Sequence, residues 1–147
     1  MGESMREVVT TVRTEILRCM PETEFVCLFG SFARGEALPF SDIDIAVSTE
    51  TEPDILTLGD AAGSIEAVCG RPVDILLVRG LSERDPELAF KIASEGVLLY
   101  ERRRHSYACF KKRAFLSYLD TAYLRSLNTA ALHRRVRNRS MGKRNYV

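Results

Sequence analysis

Met5, Val8, Val9, Val12 and Ile16 fall on one stripe at helical spacing, which predicts a helix over about residues 3–19, stopped by Pro21. Residues 24–29 then read as a short buried strand that ends at Gly30-Ser31. A loop with Gly35 and Pro39 leads to a second strand over residues 42–48. Pro53 precedes a helix with Ile55, Leu58, Ala62 and Ile65 on one face, ending near Gly70. Residues 72–78 are apolar apart from Asp74 and predict a third strand. Asp85-Pro86 has the form of an N-cap followed by proline at the first helical position. That helix ends at Gly96, before a fourth strand over residues 97–100. Helices alternating with apolar strands predict an α/β (α+β) fold, in which helices pack on a sheet of about four strands.

After Tyr100 the pattern becomes all-helical. Phe115, Tyr118, Leu119, Ala122 and Tyr123 form one apolar stripe, read as core or as a docking face. Beyond Leu132 the sequence is basic with little to bury, and its end is expected to fray when alone. The expected division is therefore a sheet-bearing unit over residues 1–100, a helical extension over 101–132 and a flexible basic tail over 133–147.

The 147 residues are 46% hydrophobic and 28% charged, which excludes wholesale disorder. No apolar run is long enough to span a bilayer, and the first residues do not have the pattern of a signal peptide. Cys19, Cys27, Cys69 and Cys109 form no CxxC and read as reduced thiols, so a cytoplasmic location without membrane contact is expected. The net charge of +1 hides a split at Tyr100: 8 basic against 18 acidic residues before it, 13 against 2 after it. Such asymmetry suggests different partners for the two parts. For the basic tail the readings are a solvated helix end, a grip on an acidic protein surface, or contact with nucleic acid phosphates.

The chemistry concentrates between Phe29 and Val47. Asp42 and Asp44 are two apart on an expected strand and project from one face, while Ile43 and Ile45 anchor the other. Asp74 sits in an apolar run, where a lone buried carboxylate would be costly unless compensated. If the strands are neighbours, Asp42, Asp44 and Asp74 converge, and three oxygen ligands suit Mg²⁺ or Mn²⁺. Gly30 permits a tight turn and a close approach of backbone to a ligand. Ser31 can cap the turn where phosphates dock, Arg34 adds a cation and Ser41 a hydroxyl. Phosphate recognition beside metal ligands suits phosphoryl or nucleotidyl transfer, and the absence of a GxxxxGK[ST] run excludes a P-loop.

Gly30-Ser31-Phe32-Ala33-Arg34-Gly35, with Ser41-Asp42-Ile43-Asp44 beginning six residues beyond Gly35, resembles the signature of the minimal nucleotidyltransferases of the DNA polymerase β-like superfamily. The resemblance covers roughly residues 5–125 and includes Ala93-Ser94-Glu95-Gly96-Val97-Leu98-Leu99-Tyr100. It implies a mixed sheet flanked by helices, Asp42 and Asp44 as catalytic metal ligands, Asp74 as the third carboxylate, and Gly30 and Ser31 as holders of a nucleotide triphosphate. It further implies AMP transfer from ATP to a tyrosine of a HEPN-domain RNase toxin, which silences the toxin and makes this chain an antitoxin. Competing readings are a small-molecule acceptor such as an aminoglycoside, for which 47 residues after Tyr100 are few, and a non-catalytic antitoxin that acts by occlusion.

Overall fold

The computed structural model describes residues 2–142, with side-chain environments for residues 5–138. The elements follow in the order α1 (Gly2–Cys19), β1 (Thr23–Phe29), α2 (Gly30–Ala33), β2 (Ile43–Thr49), α3 (Ile55–Cys69), β3 (Val73–Leu77), α4 (Leu81–Arg84), α5 (Pro86–Glu95), β4 (Val97–Glu101) and α6 (Ser106–Gly142). The strands form one mixed sheet in the order β3-β2-β1-β4. β1 is antiparallel to both β2 and β4, whereas β2 and β3 run parallel, with α3 as their crossover.

The alternation of side chains along the strands gives the sheet two buried faces. Val26, Leu28, Ile43, Ile45 and Val47 pack against Val8, Val12 and Ile16 of α1 and Ala61 and Ile65 of α3. Phe25, Cys27, Phe29 and Ala46 pack on the other face against Ala89, Ile92 and Ala93 of α5 and Tyr107, Phe110 and Ala114 of α6. Helix ends follow their local chemistry. The Asp54 carboxylate accepts from the Thr57 N–H at the start of α3, and that of Asp85 from the Leu88 N–H at the start of α5.

Several expectations change. Ile55, the first residue of α3, is 83% exposed, while Leu58 and Ile65 face the core. The short helix α4 interrupts a stretch expected to be loop and is too brief for a periodic signal, while α2 falls at the turn expected around Phe32. The aromatic stripe divides. Phe115 and Tyr118 pack on Phe90 of α5, Tyr118 stacking at 4.0 Å between ring centroids, while Leu119 and Tyr123 are exposed. α6 also runs through the boundary drawn at Leu132 and continues to Gly142, as one 37-residue helix. The last five residues of the expected tail lie outside the described residues.

All four cysteines are free, but their environments differ. Burial within the sheet pushes the Cys27 thiol up to about 12, whereas Cys109 is exposed on α6. Because the thiolate is the reactive species, iodoacetamide at pH 8 is expected to label Cys109 readily and Cys27 only after denaturation. Mass mapping checks this, and comparable labelling of both thiols in the native protein would contradict the packing of β1 under α5.

Candidate active site

Asp44 lies on β2 between Ile43 and Ile45, both fully buried on the α1–α3 face, so its carboxylate emerges on the face covered by α5 and α6. The parallel pairing of β2 with β3 sets Asp44 directly beside Asp74, in register, on that same face. Across the other edge of β2, Asp44 is opposite Phe29, the last residue of β1. Asp42 stands one residue before β2, not within it, and is exposed. Asp74 is exposed too, since β3 is an edge strand, so the expected penalty for burying a carboxylate there does not arise. Its neighbours Val73 and Ile75 are only half-buried.

The Gly30 turn closes on the same place. Gly30 has φ +75°, and a Cβ built on it would come within 2.2 Å of Asp44 Oδ2. Two independent demands therefore require glycine here, a left-handed backbone and direct contact with a carboxylate oxygen. Ser31 follows at the half-buried start of α2, and its carbonyl accepts from the Glu36 N–H.

Arg34 and Ser41 are committed to the protein itself. Arg34 Nε donates to Glu36 Oε2 at 2.9 Å and its Nη1 to Glu95 Oε2 at 2.9 Å. Ser41 Oγ accepts from the Leu38 N–H at 2.8 Å and so holds the turn before Asp42. Arg71 braces that turn from below, donating to the Leu38 carbonyl and lying over the Phe32 ring.

The electrostatics centre on Asp44. Burial, followed by the charges of Asp74 and Asp42, holds its carboxyl above the ordinary range, while Lys91 and Arg34 pull in the other direction. No hydrogen-bond donor engages Asp42, Asp44 or Asp74 among the described residues. No three His, Cys, Asp or Glu side chains form a ready-made metal cage among those residues. An all-oxygen set of mutually repelling carboxylates without donors nonetheless fits Mg²⁺, which usually takes one or two protein carboxylates and completes its shell with phosphate oxygens and water. The arrangement can thus place a hard cation and a phosphate chain against the Gly30 turn.

Sequence reasoning missed Lys91 and Glu95. They lie one helical turn apart on α5; Glu95 falls within the segment that carries the family resemblance, without a role assigned to it there, and for Lys91 the i, i+4 spacing was the trace in the sequence.

With this geometry in hand, residues 14–105 match the family described as Polymerase beta, Nucleotidyltransferase. A protein adenylyltransferase MntA from Thermococcus cleftensis is 32% identical over 79 residues, covering 54% of this chain and 79% of the relative. Among solved structures, a toxin–antitoxin with AMP-PNP aligns with TM-score 0.73 at 19% identity, over 84% of this chain and 98% of that one. A tri-AMPylated HEPN toxin in complex with MNT antitoxin, from Shewanella oneidensis, aligns with TM-score 0.70 at 17% identity, over 87% and 98% of the two chains. At such identities these two structures establish the likeness of fold. No described helix is long and apolar enough to cross a membrane.

Proposed function

The chain belongs to the polymerase beta nucleotidyltransferase family, and from that premise we propose that it transfers AMP from ATP to a tyrosine hydroxyl of a HEPN-type RNase toxin, acting in the cytoplasm as the toxin's antitoxin. The observation that carries this reading is the placement of Asp44 beside Asp74, with Gly30 packed against the Asp44 carboxylate.

Asp42, Asp44 and Asp74 would hold Mg²⁺ or Mn²⁺. When bound, the metal supplies charge neutralisation at the phosphates and a more acidic hydroxyl. Gly30 and Ser31 take the phosphate chain along the turn, with Ser41 keeping the turn before Asp42 in shape. The hydroxyl oxygen of the acceptor bonds to the α-phosphorus as the bond to pyrophosphate breaks, and Asp74 accepts the hydroxyl proton. Exposure of Asp74 on an edge strand suits an acceptor as large as a protein, which can reach it from outside the sheet. Beyond this the chain positions groups and stabilises charge, the main demands of phosphoryl-type transfer.

The test incubates the protein with Mg²⁺, labelled ATP and a HEPN toxin encoded beside it, next to an Asp42→Asn/Asp44→Asn variant. Label on a toxin tyrosine with the native chain and none with the variant is expected. Toxin inhibition by the variant at native strength, without label, would replace the proposal with occlusion. Label found only on a small molecule such as an aminoglycoside would replace it with a different acceptor.

A further inference from the structure

Arg34, the motif cation expected at the phosphates, already has two carboxylate partners, Glu36 and Glu95, each at 2.9 Å. Two of its five N–H donors are thereby held by carboxylates, whose combined charge outweighs its own. Its contact with Glu95 has a structural effect instead. It ties the last turn of α5 to the segment that follows the Gly30 turn, 61 residues away in sequence.

Lys91 sits one turn before Glu95 on that tethered helix. The buried face of α5, Ala89, Ile92 and Ala93, packs in one cluster with Phe29, the partner of Asp44 across the β1–β2 ladder, and with Ala46, two residues beyond Asp44 on the same face of β2. Lys91 itself is exposed and makes no ion pair or hydrogen bond among the described residues. Its charge acts on Asp44 in the same direction as that of Arg34. It is a cation with all its donors available, at the margin of an acidic site that must receive a strongly anionic ligand. An ammonium on a flexible stem suits a phosphate chain, which demands charge rather than a planar fork.

We propose that Lys91 binds the triphosphate of the incoming nucleotide and the pyrophosphate that leaves, while Arg34 and Glu95 position the helix that carries it. This rests on the proposed nucleotidyl transfer and names a residue of its substrate site.

The test uses the full chain with Lys91→Ala, Lys91→Arg and Arg34→Gln, and the double variant Lys91→Ala/Arg34→Gln. The readouts are the KM and kcat for labelled ATP in toxin modification, and equilibrium binding of AMP-PNP and of AMP with Mg²⁺. Lys91→Ala should raise the KM for ATP and weaken AMP-PNP by about 10-fold, the scale of one lost hydrogen bond to a charged group, with AMP affinity and melting temperature unchanged. Lys91→Arg should restore most of the loss. Arg34→Gln should weaken AMP-PNP less, and add nothing in the Lys91→Ala background. Native AMP-PNP affinity in Lys91→Ala, or full additivity of the two substitutions, would overturn the assignment. If the native chain modifies no toxin, the function proposed above fails, and AMP-PNP binding still decides the role of Lys91.

Discussion

Asp44→Asn is expected to abolish nucleotidyl transfer and, in EDTA, to raise the melting temperature. The loss of activity follows from removing the carboxylate at the centre of the site, flanked by Asp74 in register and touched by the Gly30 turn. A drop of at least about 10²–10³-fold is the scale on which one electrostatic stabiliser acts. The gain in stability follows from the raised carboxyl of Asp44, whose ionised form is opposed by burial and by Asp74 and Asp42. Asparagine keeps the shape and removes the charge. Because Asp44 is only half-buried and solvent screens the repulsion, the gain is held to about 1 kcal/mol or less, or about 2–4 °C. The sign with pH follows from linkage. A carboxyl raised in the folded state loses stability as pH rises from its ordinary value through the raised one. The variant should therefore exceed the native chain at neutral pH and match it in acid, below the ordinary carboxylate range. Mg²⁺ should stabilise the native chain more than the variant. Calorimetry with and without Mg²⁺ checks all three, and a variant less stable than the native chain in EDTA would contradict the electrostatics of the site.

Gly30→Ala is expected to remove activity while sparing the fold. The added Cβ would come within 2.2 Å of Asp44 Oδ2, far inside contact distance, so one of the two must move. The obstructing atom is the end of a side chain, and Asp44 can turn away without disturbing the backbone of β2. A displacement of about 1 Å at a reacting centre costs about 10²-fold in rate. The left-handed backbone at Gly30 adds about 1–2 kcal/mol of strain to the folded state. Gly35 provides the control, since it has φ +72° but open space around its missing Cβ. Gly35→Ala should show similar destabilisation with activity retained. Rate and melting measurements on the pair separate strain from steric displacement, and equal loss of activity in both would show that backbone strain alone accounts for the effect.

Much of the fold was legible because its signals are local. The stripe of Val8, Val12 and Ile16, the apolar run of β1 and the Asp85-Pro86 start of α5 each lie within one element and need no partner to be read. Ile55 misled because the spacing that marks a helix face does not tell where along the helix its packing begins. Asp74 misled similarly. An apolar run suggests a buried strand, whereas β3 borders the sheet and leaves its carboxylate open to solvent.

By itself the sequence determined the chemical groups of the candidate site and their order: a glycine-serine turn, two carboxylates two apart, and a third carboxylate in a later strand. Strand periodicity fixes the face of Asp44 and of Asp74, because alternation sets the side of each residue within a strand, but Asp42 falls just outside β2. Periodicity does not fix which strand lies alongside. Only the parallel pairing of β2 with β3 brought Asp74 level with Asp44. Only the packing of α5 on the same sheet face tied Arg34 to Glu95 and left Lys91 with its charge available. Ion pairs are settled by distance in space, across 61 residues of chain in this case, and so the pairing of Arg34 was decided by the tertiary structure.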